Sequence, residues 1–186
     1  MPASLLDWLK NLLGFKQRAA GVSPFAPRNG PARLLIMRHA EKTGDKRDKD
    51  LSDAGWARAE KLATFIPQAI GKPDFLIAAS NSVKSKRPKQ TLEPLGAELG
   101  LDIWAELDDE EVDELVDELA RTPEWAGKFG IVSWRHSDLP RLIGALGAPA
   151  GSYPDPWDSA VYDLMIEITY DAPGKAPRVR EITPPF

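Results

Sequence analysis

The sequence contains no cysteine and only two histidines among its 186 residues. The absence of cysteine excludes disulfide bonds, thiolate metal sites and a cysteine nucleophile. No apolar run approaches the roughly 20 residues that a membrane-spanning helix needs. The N-terminus is rich in Leu and Trp, but no basic residues precede it, as they would in a secretory signal. We therefore expect a cytoplasmic protein without a membrane span.

The net charge of −4 conceals an uneven distribution of charge. Residues 102–118 include ten acidic side chains and no Lys or Arg, so the rest of the chain is net basic. A nucleic-acid partner requires a basic surface that neutralises phosphates, and a long polyanion would meet this acidic segment. We therefore predict no nucleic-acid partner, and we interpret most of the acidic residues as a solvated helix face.

The chain divides into three parts. Apolar residues recur at spacings of three and four near the N-terminus, which predicts an amphipathic helix within residues 1–20. Prolines and glycines indicate a linker at 21–31, and residues 32–186 are predicted to form the folded domain. The helix has three alternative roles: packing on the domain, forming a homodimer with a second copy, or lying on a membrane surface.

Within the domain, apolar runs and helical patterns alternate. Such alternation predicts an α/β domain with a mostly parallel central sheet, and the tail predicts a C-terminal antiparallel hairpin. Strands are predicted at 34–37, 75–79, 101–107 and 129–134, helices at 53–66, 89–99, 110–121 and 139–146, and the hairpin at 161–170 and 178–182.

Two serines and two tryptophans have specific predicted roles in this arrangement. Ser52 and Ser137 each precede a predicted helix, and their hydroxyls are expected to act as N-caps; for Ser137 the alternative is that it orients His136. Trp134 and Trp157 are expected to pack in the core, with a place in a pocket wall as the alternative.

Both histidines directly follow an apolar predicted strand. His39 comes after Arg38 at the end of 34–37, and His136 follows 129–134 by one residue. Ligands bind outside the carboxyl ends of the strands in open α/β sheets, so both imidazoles lie where a site is expected. For either histidine taken alone, a structural hydrogen-bonding role is the alternative.

A basic loop adds to this set. Residues 84–89 carry four basic side chains and no acidic one, and they lead into a predicted helix. Backbone N–H groups at a helix N-terminus and the guanidinium fork of Arg87 both favour an anion. With Arg38, His39 and His136, this loop predicts a site for a phosphate-like group.

Four segments, in order, resemble motifs of the histidine phosphatase superfamily, which includes phosphoglycerate mutases and many small phosphatases. Residues 38–41 resemble its Arg-His signature, and residues 51–59 resemble its Leu-Ser/Thr-x-x-Gly-x-x-x-Ala helix start. Residues 87–91 resemble Arg-x-x-Gln-Thr, and His136 follows the fourth strand. The resemblance covers residues 33–147 and implies a three-layer α/β/α sandwich.

The resemblance also implies an activity: hydrolysis of a phosphomonoester, either a small phosphorylated substrate or a phosphoprotein. It implies that His39 attacks phosphorus and carries the phosphoryl group, while Arg38, Arg87 and His136 surround the phosphoryl oxygens. The attack needs a neutral imidazole, so we expect a backbone carbonyl to hold the other ring nitrogen. No metal and no cofactor are implied, because converging cations can stabilise the developing charge.

The general acid is the remaining role. Family members with a dedicated donor often carry a carboxylate just after the third strand, which makes Asp109 the candidate here and Glu110 its substitute. Such an acid needs a pKa raised by burial or by like charges. The family's Gly-x-Trp-Glu-Gly segment is absent from the chain. Two alternatives to a phosphatase are a catalytically weak module that binds a phosphorylated ligand or phosphoprotein, and a phosphoglycerate mutase-type phosphotransferase, which the missing segment disfavours.

Overall fold

A computed structural model describes residues 29–45, 47–172 and 174–186. The amphipathic helix predicted within residues 1–20, its proposed homodimer and most of the linker lie outside the described residues. Within these ranges no helix combines the length and the apolar character needed to cross a bilayer.

Strands and helices alternate along the chain as predicted for an α/β domain. A π-helical segment, Ile66–Ile70, continues the first helix, and a 3-10 turn, Pro123–Trp125, precedes the fourth strand. The strands are β1 (Arg33–Arg38), β2 (Phe75–Ala78), β3 (Ile103–Trp104), β4 (Phe129–Trp134), β5 (Met165–Thr169) and β6 (Arg178–Ile182), and the helices are α1 (Asp53–Phe65), α2 (Arg87–Leu99), α3 (Val112–Arg121) and α4 (Leu139–Ala145).

The strands form one sheet in the order β3-β2-β4-β1-β5-β6. The pairings β3-β2, β2-β4 and β4-β1 are parallel, whereas β5 is antiparallel to both β1 and β6. The mostly parallel sheet and the C-terminal antiparallel hairpin are therefore confirmed. In the β1-β4 register Arg38 lies opposite Trp134, so both histidines follow the ends of adjacent strands.

Helices cover both faces of the sheet. Leu34 and Ile36 of β1 pack with α3 and α4, while Leu35 and Met37 pack with α1 and α2. Successive side chains of a strand point to opposite faces of the sheet. A continuous apolar run therefore indicates a strand that is buried on both faces. Burial of one such side chain contributes about 1.5–3 kcal/mol. The three-layer α/β/α sandwich is thus confirmed.

The structure corrects two predicted strands and one predicted helix cap. The third strand is limited to Ile103–Trp104, because the chain beyond it turns to accept a hydrogen bond at Leu107 O from the backbone N–H of Ser80, 2.7 Å away. The first strand of the hairpin, predicted at 161–170, is limited to Met165–Thr169. The prediction for Ser137 was wrong: its hydroxyl donates to the Asp138 carboxylate at 2.7 Å, and Asp138 is the N-cap residue.

The acidic segment 102–118 lies partly on α3, whose two sides differ in polarity. Val112, Leu115, Val116 and Leu119 are buried against the sheet, while the acidic side chains of the helix are mostly exposed. The prediction of a solvated acidic helix face is confirmed for α3.

The start of α1 packs closely against the chain that follows β1. Ser52 is the predicted N-cap, and its hydroxyl accepts a hydrogen bond from Gly55 N at 3.1 Å. A Cβ added at Gly55 would lie 2.3 Å from the backbone oxygen of Glu41. Glycine at this position therefore allows the helix to approach the segment that carries His39.

Replacing Gly55 by Ala is expected to lower the free energy of unfolding by about 1–3 kcal/mol, the usual cost of overpacking. Helix propensity alone predicts the opposite sign, because Ala is favoured over Gly in a helix by about 1 kcal/mol. Denaturant unfolding measures the effect. Gly44→Ala is the matched control, since a Cβ at Gly44 would meet nothing within 4 Å. A stabilised Gly55→Ala protein would show that the close approach is unimportant.

Candidate active site

His39 lies directly after β1, and its imidazole is only 5% exposed. Its Nδ1 is 2.7 Å from the backbone oxygen of Ala40. Because a carbonyl oxygen can only accept, Nδ1 carries the proton and Nε2 keeps its lone pair. Burial, followed by the charges of Arg38 and Arg87, lowers the pKa of His39 to about 3. The ring is thus neutral and held by a carbonyl, as the sequence predicted.

The lowered pKa of His39 makes stability depend on pH. Below the ordinary pKa of 6.5, the unfolded chain binds a proton that folded His39 does not bind until about pH 3. We therefore expect this contribution to stability to be complete above pH 6.5 and to be lost as the pH falls toward 3. The loss amounts to about 1.4 kcal/mol per pH unit inside that window.

Comparison of the wild type with His39→Asn isolates this effect, because groups common to both proteins cancel. The wild-type free energy of unfolding is expected to fall more steeply between pH 6.5 and 4 than that of the variant. Parallel pH curves would contradict a neutral, buried His39.

The Arg38 guanidinium is buried beside His39, with 2% of the residue exposed. Its Nη1 donates to the backbone oxygens of Ser159 at 2.6 Å and of Val161 at 3.1 Å. Its Cζ lies 3.6 Å from the centroid of the Tyr162 ring. Its buried Nε has no hydrogen-bond partner within the described part of the chain.

Arg87 is the first residue of α2, so the basic loop and a helix N-terminus meet there. Its Nη1 donates to the backbone oxygen of Asp48 at 2.8 Å. Its Nε is also buried and lacks a partner among residues 29–45, 47–172 and 174–186. Burial lowers the pKa values of both Arg38 and Arg87, which stay cationic at neutral pH. Unpaired buried donors cost about 1–3 kcal/mol each, which an incoming anion can recover.

His136 completes the predicted set. Burial, followed by the charges of Arg38 and Arg135, lowers its pKa. The Arg38, Arg87 and His136 charges also lower the pKa of His39, so these side chains lie within electrostatic reach of it. The structure therefore brings Arg38, His39, Arg87 and His136 together at the carboxyl ends of β1 and β4.

Thr91 and Gln90 explain the other positions of the 87–91 motif. The backbone N–H of Ala40 donates to Thr91 Oγ1 at 2.9 Å, and that hydroxyl donates to the backbone oxygen of Arg87 at 2.8 Å. Gln90 Nε2 donates to the Asp50 carboxylate at 2.7 Å, and Gln90 Oε1 accepts from the backbone N–H of Leu51 at 3.0 Å. These bonds fix α2 and its Arg87 against the chain beside His39.

The two candidate acids have different environments. Burial raises the pKa of Asp109, while nearby Arg135 opposes the rise; the two side chains are 3.4 Å apart. The backbone oxygen of Asp109 accepts a hydrogen bond from Trp134 Nε1 at 2.8 Å. Glu110 is exposed. Asp109 therefore has the partly buried setting that an acid needs, and Glu110 lacks it.

Sequence reasoning missed the segment that supports Arg38. Tyr162 and the backbone oxygens of Ser159 and Val161 contact the guanidinium, yet residues 161–164 were predicted as strand. A lone tyrosine in a loop gives no sequence signal of such a contact. The part of the chain that the structure describes holds no group of three or more His, Asp or Glu side chains placed to bind a metal.

Comparisons with known proteins give information on the fold. No protein-family model and no curated protein matches the chain. A solved structure from Agrobacterium tumefaciens, assigned as the phosphohistidine phosphatase SixA, is 18% identical; the match covers 83% of this chain and 99% of that one, with a TM-score of 0.52. A SixA protein histidine phosphatase complexed with tungstate is 16% identical, covering 81% and 96%, with a TM-score of 0.58.

A third similar structure is the phosphoglycerate mutase of Plasmodium falciparum. It is 12% identical, the match covers 81% of this chain and 89% of that chain, and the TM-score is 0.52. At these identities the likeness establishes the fold alone, and that fold is the one that the motifs led us to expect. The chain has the same α/β fold as these three structures.

Proposed function

We propose that the protein is a phosphatase that hydrolyses a phosphomonoester through a phosphohistidine intermediate on His39. One observation carries the proposal: a neutral, buried imidazole has its Nδ1 held by Ala40 O and lies beside the cationic side chains of Arg38 and Arg87. Each of those guanidiniums has a buried Nε without a partner in the described chain. A SixA structure of the same fold is complexed with tungstate, an oxyanion, and is a precedent for an oxyanion ligand on this fold.

The reaction has two steps. The Nε2 lone pair of His39 attacks phosphorus, a P–N bond forms, and the P–O bond to the leaving group breaks with its electron pair remaining on that oxygen. Arg38, Arg87 and His136 donate hydrogen bonds to the phosphoryl oxygens as charge develops. Water then attacks phosphorus and gives a proton to the acid that protonated the leaving oxygen, the P–N bond breaks with its electron pair returning to Nε2, and inorganic phosphate and neutral His39 are released.

We assign Asp109 as the acid that protonates the leaving oxygen. Its raised pKa, caused by burial, favours the protonated carboxyl that a donor requires. Its carboxylate lies 3.4 Å from the guanidinium of Arg135, the residue that directly precedes His136. Glu110, being exposed, is assigned no role.

Asp109→Asn is expected to slow hydrolysis of alkyl phosphates by about 10²-fold, the lower range for loss of an acid catalyst. Nitrophenyl phosphate should be almost unaffected, because its leaving group departs without protonation. Steady-state kcat/KM for the two esters measures the contrast, and Glu110→Gln is the control. Equal losses on both esters would remove Asp109 from the role of acid.

A rapid-quench experiment tests the proposed function. The protein is mixed with a radiolabelled phosphomonoester, with and without a chelator, and denatured within the first turnover. We expect an acid-labile, base-stable phosphoryl group on His39, formed equally in both conditions. Activity that the chelator abolishes, or turnover without a labelled protein, would refute this mechanism.

A phosphorylated-ligand binding module is the second candidate, favoured by the pairing of Asp109 with Arg135. This pairing favours the ionised carboxylate, which cannot donate a proton. The module predicts tight binding of phosphate analogues with negligible turnover, even of nitrophenyl phosphate. Calorimetric titration with tungstate, followed by turnover assays on the same sample, separates the two.

A further inference from the structure

A cleft of about 640 Å³ begins at His136 and extends along α4. Pockets of this size hold groups much larger than a phosphate. One wall is formed by α4 and the other by residues 153–157. Ring-bearing and small residues predominate in the lining, among them Pro140, Gly144, Tyr153, Pro156 and Trp157.

The cleft and the anion site share a structural element. The backbone oxygen of Val161 accepts hydrogen bonds both from Trp157 Nε1, at 3.3 Å, and from Arg38 Nη1, at 3.1 Å. His136 belongs to the phosphate site and also lines the cleft. A phosphoryl group placed at His39 therefore has the cleft beside it, in reach of the rest of the substrate.

The two aromatic side chains of the cleft have fixed positions. Trp157 is 5% exposed, so it both packs in the core and contributes to the wall. Tyr153 packs over α4, because a Cβ added at Gly144 would lie 2.7 Å from its hydroxyl. Rigid aromatic and proline rings favour a flat apolar ligand, and they gain stacking energy that an alkyl chain does not provide.

The charges of the cleft disfavour a second anionic group. The Arg141 guanidinium is already bound to the Asp113 carboxylate at 2.7 Å and to the backbone oxygen of Glu110 at 3.3 Å. Asp155 adds an exposed carboxylate to the lining. The cleft is therefore better suited to an uncharged ring than to a carboxylate or a second phosphate.

We propose that this cleft is the leaving-group subsite and that it selects phosphomonoesters of uncharged, ring-bearing alcohols, with Tyr153 as a specificity-determining residue. The inference rests on the proposed function, since the phosphoryl group at His39 sets the orientation of the substrate. Because Gly144 has no side chain, the Tyr153 hydroxyl can lie close against α4 and the tyrosine ring forms part of the wall of the cleft.

Two esters with matched chemistry test the proposal: phenethyl phosphate and butyl phosphate, whose alcohols have nearly equal pKa values. The wild type is expected to prefer the phenethyl ester in kcat/KM by at least about fivefold, the scale of one aromatic contact. Tyr153→Ala should lower kcat/KM for the phenethyl ester more than for the butyl ester and so lose this preference, while Tyr153→Phe should retain it.

Equal kcat/KM for the two esters, or a preference unchanged in Tyr153→Ala, would overturn the subsite while leaving the phosphatase intact. If the wild type turns over neither ester, the proposed function is refuted instead. In that case calorimetric binding of the phenethyl and butyl phosphonates decides on the cleft. Tighter binding of the phenethyl compound that Tyr153→Ala abolishes supports it, and equal binding overturns it.

Discussion

Replacing His39 by Asn is expected to lower kcat/KM for any phosphomonoester by about four to six orders of magnitude, as loss of a nucleophile does in other enzymes with covalent intermediates. Asn keeps a polar side chain near the Ala40 carbonyl but has no nitrogen lone pair that can attack phosphorus. The labelled phosphoenzyme should disappear with the activity. Because the folded imidazole is neutral, folding at neutral pH does not depend on its charge.

His136→Asn is the matched control for this substitution. His136 lies beside the phosphoryl oxygens in the proposed mechanism but forms no covalent bond, so its loss should cost about 10²–10³-fold. The phosphoenzyme should still form in this variant, more slowly. If His39→Asn retains turnover, or if the label is found on His136, the assignment of the nucleophile is wrong.

The fold was predictable because its signals are local. Apolar runs on β1 and β4 are continuous since both faces of these strands are covered, and β4 was predicted with the bounds that the structure has. The length of β3 was not predictable, because residues 105–107 continue an extended pattern while Leu107 O binds Ser80 N instead of a strand. The point at which β3 ends therefore depends on Ser80, a residue of another loop, and no pattern within residues 101–107 encodes it.

The candidate site also has residues that could be assigned from the sequence and residues that could not. His39 and His136 could be assigned because each directly follows a strand, and adjacent parallel strands bring their carboxyl ends together. The contacts that hold the Arg38 side chain could not be predicted. Ser159 and Val161 are more than a hundred residues away in sequence, and they bind through backbone oxygens, which every residue has. Their contact with Arg38 emerges only from the tertiary fold.

Arg38→Met is expected to lower kcat/KM by about 10²–10³-fold, the usual loss when one preorganised charge donor is removed from a transition state. Met fills much of the space of the arginine stem but provides neither charge nor hydrogen bonds. The effect should fall mainly on kcat, since the charge on the phosphoryl oxygens grows during transfer. Arg87→Met should cost at least about 2 kcal/mol of transition-state stabilisation by the same reasoning.

Arg33→Met separates this catalytic loss from simple loss of packing, because Arg33 and Arg38 are the two ends of the same strand. Arg33 stacks on Phe129 at 3.7 Å and lies 3.4 Å from the Glu167 carboxylate, at the end of β1 opposite to the histidines. Its replacement should reduce the free energy of unfolding and leave kcat unchanged.

Arg38→Lys should fail to restore the rate, because an ammonium group cannot contact Ser159, Val161 and the phosphoryl oxygens as a planar fork does. Full activity of Arg38→Met would mean that this buried cation serves folding alone.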